Sequence, residues 1–166
     1  MHVGIGHDTH RLVAGRPLIL GGLRIEHPRG LAGHSDADVV LHAVSDAMLG
    51  AAGMGDIGEI YPDSNPAYCN CDSSIFVRET LARLNRAGWR LVNVDVIIFA
   101  QEPALGAIKA QIRRNLAQLL QLDIAAVNIK AKTGEKVGAI GRAEAIGCQA
   151  VVLIENPGDG DARTDL

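Results

Sequence analysis

Aromatic residues are scarce in this chain: one Trp, two Tyr and two Phe make up 3% of 166 residues. A core assembled with so few rings must be aliphatic and alanine-rich. No apolar run approaches the length of a membrane-spanning helix, which excludes a helical span, and no signal-peptide pattern opens the chain. Net charge is small, −3, which argues against a general nucleic-acid surface. Cysteine is sparse and odd in number: Cys69, Cys71 and Cys148. The first two are too close for an ordinary disulfide, so all three read as reduced thiols and a cytoplasmic location is expected. Repeats and linkers are also missing. Residues 1–156 therefore read as a single domain, followed by a polar, Gly- and Asp-rich flexible tail at 157–166. What remains is an ordinary globular balance, 48% hydrophobic and 21% charged.

The periodicities define alternating elements. Val3 and Ile5 alternate with Gly4 and Gly6 in a strand pattern from Met1 to Leu12. Pro17 to Leu20 reads as the second strand of a hairpin with it. Ser35 followed by Asp38 reads as a helix cap with an acidic partner, starting a helix from about Asp36 to Ala52 that stops at Gly53 and Gly55. Residues 53–72 read as loop. A second helix spans about 74–87, capped by Asp72 or Ser73, with Phe76, Val77, Thr80, Leu81 and Leu84 inward and Gly88 as stop. Leu91 to Gln101 is a buried strand. Ile108, Ile112, Leu116, Leu119 and Leu120 mark a third helix, and Val127 to Ala131 and Gly147 to Glu155 are strands, with a loop over 132–142. The fold class expected is an α/β (α+β) sandwich: a small mixed sheet with helices on one face. The other face also carries apolar residues, which predicts association into a symmetric oligomer.

All six histidines lie within the first 42 residues. On a strand, Asp8 and His10 point to one side. On the first helix, Asp38, His42 and Asp46 recur every four residues along one face, otherwise apolar with Val39, Val40, Ala43, Ala47 and Met48. Such an acid–His–acid stripe costs desolvation unless a metal pairs with it or a cleft exposes it. Asp8, His10 and His42 make a carboxylate-plus-two-imidazole set, the number of protein ligands a catalytic zinc takes when its fourth position is open. A lone Asp-x-His would be read as ordinary surface polarity; the clustering of histidines shifts the reading towards metal. Farther on, Lys130-Ala-Lys-Thr-Gly-Glu-Lys136 leads into Gly138, Gly141 and Arg142. Lysines, a hydroxyl and flexible backbone N–H groups suit an anion, and Glu135 would repel phosphate unless a Mg²⁺ lay between them. Taken alone, this loop reads equally well as a solvated turn with a surface ion pair.

With both ends in view the chain resembles the 2-C-methyl-D-erythritol 2,4-cyclodiphosphate synthase family of the non-mevalonate isoprenoid pathway. The matching stretches run from about Val3 to Ile154. They are Gly6-x-Asp8-x-His10, Gly15-Arg-Pro-Leu, Gly33-His-Ser-Asp-Ala-Asp38, His42-x-x-x-Asp46, Gly55-Asp-Ile-Gly58 with Pro62-Asp63, Asn93-Val-Asp95, Ala100-Gln101, Lys130-Ala-x-Thr133-x-Glu-Lys136 and Gly141-Arg-x-Glu144. The resemblance implies cyclisation of 4-diphosphocytidyl-2-C-methyl-D-erythritol 2-phosphate, its own 2-phosphate attacking the β-phosphorus and CMP leaving. It implies zinc on Asp8, His10 and His42, Mg²⁺ or Mn²⁺ on Glu135, and His34 and Thr133 as the catalytic groups that stabilise the transferring phosphoryl. Asp46 is expected to orient the metal site from behind. The substrate-contacting set implied is Asp8, His10, His34, Ser35, Asp56, Ile57, Gly58, Tyr61, Asp63, Ala100, Pro103, Leu105, Gly106, Lys132, Thr133, Glu135 and Arg142. Asp56 and Gly58 would meet ribose, Asp63 lies in the stretch that meets the methylerythritol part, and Ala100 to Gly106 with Lys132 to Glu135 would form the cytidine pocket. It implies a homotrimer with its sites between subunits, acting on a small cytidine diphosphate with no nucleic-acid or membrane partner.

The chain departs from the family pattern at Ala104, where Lys is usual, at Lys132 and Gly134, and at Ala139, where an aromatic usually lines the trimer channel beside Arg142 and Glu144. Lys132 is expected to supply the charge missing at 104. Two rival functions share some features: a zinc-dependent nucleotide-diphosphate phosphohydrolase, which needs an activated water, and a non-catalytic trimeric binding protein, which needs neither ion.

Overall fold

The computed structural model describes residues 1–158; most of the expected tail lies outside the described residues. Four strands open the chain: β1 (His2–Ala14), β2 (Leu18–Leu20), β3 (Leu23–Ile25) and β4 (Arg29–Leu31). Helices α1 (Val39–Ala52), α2 (Ile57–Ile60) and α3 (Ser74–Arg86) follow. The second half alternates as β5 (Arg90–Phe99), α4 (Lys109–Leu120), β6 (Val127–Lys132), α5 (Gly138–Gly141) and β7 (Ala145–Glu155). Short 3₁₀ turns stand at Pro66–Tyr68 and Ile124–Ala126.

The main sheet runs β4-β1-β7-β5-β6. β5 and β6 are parallel, joined through α4 as a parallel pair requires, and the other neighbours are antiparallel. The mixed sheet is as expected, but the hairpin is not where the sequence placed it. β2 pairs with β3 in a separate two-stranded ribbon, and β1 turns back to pair with β4. Gly21 and Gly22, both at positive φ, make the tight turn that lets β2 close on its immediate neighbour. The segments read as loops at 53–72 and 132–142 also contain α2, α5 and a 3₁₀ turn, each too short to leave a periodic signal.

One sheet face is covered. α1 packs on β1 and β7, α4 on β6, and α3 against α1 and α4. The core between them is aliphatic: Val94, Val96 and Ile98 of β5 and Cys148, Ala150, Val152 and Ile154 of β7 are buried. Phe76, Val77, Thr80, Leu81 and Leu84 of α3 are buried as the periodicity predicts. The opposite sheet face is open, with Val3 68%, Ile5 61% and Val151 39% exposed.

On β1 it is the glycines, not the valine and isoleucine, that face the helix. A Cβ on Gly6 would sit 2.0 Å from the Ala43 carbonyl oxygen, and one on Gly4 equally close to that of Ala47. Backbone-to-backbone approach of α1 onto β1 depends on these two residues. Gly6→Ala is therefore expected to cost about 3 kcal/mol, because the clash is with main chain and no side chain can swing away. Thermal unfolding should show a fall of about 6–12 °C.

α1 begins later than expected. Asp38 is its N-cap, not an acidic residue in its first turn: its carboxylate accepts the N–H groups of Val40 at 3.0 Å and Leu41 at 3.1 Å. Ala37, at φ 60°, interrupts any helix coming from Ser35. The same carboxylate accepts the Gly21 and Gly22 N–H groups at 2.9 and 2.6 Å, which ties the β2–β3 turn to the head of α1. Asp38 is wholly buried by these duties, so the acid–His–acid stripe dissolves: of the three, only His42 and Asp46 reach the cleft.

Candidate active site

β1 and α1 build the site together. Asp8 and His10 leave the strand on the helix side, and His42 projects from the first turns of α1 towards them. The Asp8 Oδ2 atom lies 2.9 Å from His10 Nε2 and 2.9 Å from His42 Nδ1, and the two imidazole nitrogens are 3.1 Å apart. The three side chains are 26%, 20% and 12% exposed, so the cluster is sheltered but reachable. Burial pushes the Asp8 carboxyl up, but hydrogen bonds and charge from His10 and His42 outweigh it and hold it well below the usual carboxylate range. Burial pulls His10 down, and the Asp8 contact more than reverses this. Among the described residues this is the one set of His, Cys, Asp or Glu side chains placed to share an ion. Its donors suit zinc: one carboxylate oxygen and two imidazole nitrogens, spaced slightly inside the roughly 3.3 Å edge of a tetrahedron with bonds of about 2.0 Å.

The set forms the floor of an open cavity of about 590 Å³. Of the residues implied by the resemblance, His34, Ser35, Asp46, Asp56, Ile57, Gly58, Tyr61 and Asp63 also line it. Arg16 holds the His34 segment by donating to the carbonyls of Gly33 and Ser35, at 3.0 and 2.6 Å. The His34 ring reaches the Asn65 carbonyl at 3.3 Å. Asp56 caps α2 by accepting the Glu59 N–H at 2.8 Å. Asp46 accepts the Ile57 N–H at 3.2 Å and makes no hydrogen bond to a metal-ligand side chain. Burial, then the Asp56 and Asp8 charges, raise its pKa against that hydrogen bond.

Two implied contacts have other work. The Ser35 hydroxyl is buried and bonded to His42, Ser73 and the Ala37 N–H. Tyr61 is buried, its ring stacked on Phe76 at 4.7 Å and its hydroxyl 3.0 Å from Thr80 Oγ1. Tyr68 closes this aromatic wall edge-on. Both tyrosines and one of the two phenylalanines thus stand in one place. In a chain so poor in rings, their crowding into residues 61–76 was a signal for Tyr68 and Phe76 that the sequence reading did not use.

The remaining implied residues line no part of this cavity. Ala100 and Leu105 are buried in the core. Pro103 and Gly106 lie in the loop between β5 and α4, and Lys132 ends β6. Thr133 donates to Glu135 at 2.6 Å, and Arg142 forms a two-pronged pair with Glu144 at 2.8 and 2.9 Å. The sheet explains the separation. Asp8 stands opposite Cys148, and Cys148 opposite Ile98, whereas Lys132 pairs with Phe99 on the next strand over. That is three strand spacings, about 14 Å, and Lys132 lies in the row that faces the open side.

Fold and site define an α/β-sandwich protein with a carboxylate–imidazole set able to hold a metal ion at the floor of a polar pocket. The chain belongs to the YgbB family, whose model matches residues 1–155. The 2-C-methyl-D-erythritol 2,4-cyclodiphosphate synthase of Bordetella pertussis is 53% identical over 156 residues, 94% of this chain and 96% of its own. Among solved structures, the bifunctional IspDF of Campylobacter jejuni superposes with a TM-score of 0.90 at 39% identity; the match covers 93% of this chain and 42% of that longer one. A 2C-methyl-D-erythritol-2,4-cyclodiphosphate synthase in a CDP-bound form gives a TM-score of 0.86 at 35% identity, over 92% of this chain and 99% of its own. The family is the one the sequence motifs resemble.

Proposed function

We propose that the chain converts 4-diphosphocytidyl-2-C-methyl-D-erythritol 2-phosphate into 2-C-methyl-D-erythritol 2,4-cyclodiphosphate, releasing CMP. The observation that carries this reading is the meeting of Asp8, His10 and His42 at the floor of a pocket walled by His34 and Asp56. The relatives' names supply the product, and the substrate is the one the resemblance implies. Asp8, His10 and His42 would hold zinc, and Glu135, with Thr133 bonded to it, a Mg²⁺ or Mn²⁺. Such sites supply Lewis-acid polarisation of phosphoryl oxygens and neutralise charge between neighbouring phosphates.

The chemistry is intramolecular. A 2-phosphate oxygen forms a bond to the β-phosphorus, the β-phosphorus–oxygen bond to the α-phosphate breaks, and CMP leaves with that oxygen. The protein's own part is to fold the substrate and meet its charge. His34, steadied by the Arg16-held loop, presents its ring to the phosphates. Asp56, and Asp63 farther along, line the cavity as acceptors for hydroxyl groups. Thr133 and Lys132 serve the cytidine diphosphate end.

The separation of these two halves by three strands supports a site shared between subunits, and the open face with Val3, Ile5 and Val151 suits a trimer contact. Among the described residues no helix is long and apolar enough to cross a membrane, and the three cysteines are unpaired. Both are compatible with a cytoplasmic enzyme.

Phosphorus NMR of the products tests the reaction, and labelled water tests its course. In ¹⁸O-water neither CMP nor the cyclic diphosphate should gain label, because no water attacks. Label in CMP or in a linear diphosphate would instead show a phosphohydrolase.

A further inference from the structure

We propose that Ser73 and Asp36 form a positioning relay that fixes the proton on His42 and aims its other nitrogen at the metal position. The inference rests on the metal-site reading above. His42 Nε2, the ring nitrogen turned away from Asp8, lies 2.9 Å from Ser73 Oγ and 3.0 Å from Ser35 Oγ. Ser73 Oγ in turn lies 2.5 Å from Asp36 Oδ1, and the Ser73 N–H donates to Asp36 Oδ2 at 3.1 Å.

Counting hydrogens decides the direction. A carboxylate only accepts, so the single Ser73 hydroxyl hydrogen is committed to Asp36. Ser73 Oγ can then only accept from His42, and the hydrogen between them belongs to the imidazole. Nε2 therefore carries N–H, and Nδ1 is the nitrogen whose hydrogen, shared with Asp8, a metal ion would displace to take the lone pair. A histidine ligand whose second nitrogen donates to a fixed acceptor is both oriented and made more basic. Here a hydroxyl stands between imidazole and carboxylate and extends the arrangement by one link.

The two serines are not equivalent. Ser35 Oγ accepts the Ala37 N–H at 3.1 Å and lies 3.0 Å from Ser73 Oγ, with no carboxylate behind it. Ser73 is fully enclosed and Ser35 nearly so, while Asp36 is half-buried. Asp36 is tied to the chain on both sides, its carboxylate accepting the Asp38 N–H at 3.2 Å and its own N–H donating to the Cys71 carbonyl at 3.0 Å.

The test is zinc affinity, measured by competition with a chromogenic chelator, beside the melting temperature of the metal-free protein. Asp36→Asn gives Ser73 a partner that can itself donate, so the hydroxyl can turn its hydrogen towards His42. Asp36→Asn and Ser73→Ala should each weaken zinc by about 10–100-fold, and Ser35→Ala should weaken it less than either. Unchanged zinc affinity with only a lowered melting temperature overturns the relay, as does a Ser35→Ala loss equal to the other two. His42→Ala separates the levels: if it too keeps its zinc, the metal-site reading fails; if it alone loses zinc, only the relay fails. A second measurement needs no substitution. In zinc-loaded protein with ¹⁵N-labelled histidine, His42 Nε2–H should appear as a slowly exchanging resonance. Exchange as fast as that of a solvent-exposed imidazole overturns the proposal.

Discussion

His42→Ala is expected to leave a folded protein that binds little zinc and turns over at least about 10³-fold more slowly. The size follows from what the ion supplies. Charge stabilisation by a bound metal is worth several kcal/mol at the transition state, and each 1.36 kcal/mol is a factor of ten in rate. Two ligands, Asp8 and His10, would remain, too few for the three-ligand set of a catalytic zinc site. The fold should survive because His42 lies at the rim of the core. Its ring borders the cavity, and α1 keeps its Asp38 cap and its packing on Gly4 and Gly6. Elemental analysis, circular dichroism and phosphorus NMR on the same sample would check all three statements. A variant that is folded and keeps full zinc would remove His42 from the ligand set.

Mixed assemblies of two inactive variants should recover activity. His42→Ala spoils the metal half of a site and Glu135→Ala the cytidine half. If the halves meet across subunits, an interface that takes an intact metal half from one variant and an intact cytidine half from the other is whole. With equal random mixing each half is intact with even odds, so about a quarter of sites should work in a closed cyclic trimer. The structure makes this a sharp test. Within one chain the metal set faces α1, while Lys132 at the end of β6 lies three strands away in the row on the open side. Co-expression with two affinity tags would isolate the mixed trimers, in which about one site in three should be whole. Mixed trimers that form and stay inactive would put both halves within one subunit.

Much of this molecule was legible before any coordinates. Strand and helix periodicities report local torsional preference and the apolar face, and they located α3 and its buried Phe76, Val77, Thr80, Leu81 and Leu84. They also put Asp8 and His10 on one side of a strand and His42 on a helix, and the ordered motifs carried the family. The second half of the proposed site was named only by resemblance, and its distance from the metal half was not visible.

What periodicity could not decide is which of several like residues finds which partner. Asp36, Asp38 and Asp46 look interchangeable along the chain, yet one backs a serine, one clamps a turn and a helix start, and one borders the cavity. Those pairings join residues 17 and 37 positions apart, so they exist only once α1 has settled on β1 and α3 has closed against it. The glycines at 4 and 6 set how closely the helix can settle, and that distance brings His42 within 3 Å of Asp8. The sequence by itself determined the longer elements, the aliphatic core and the candidate ligands, because these follow from short-range torsion and burial preferences. Only the tertiary structure decided the mutual placement of Asp8, His10 and His42, the caps and the serine–carboxylate support, because a hydrogen bond depends on tenths of an ångström that packing alone sets.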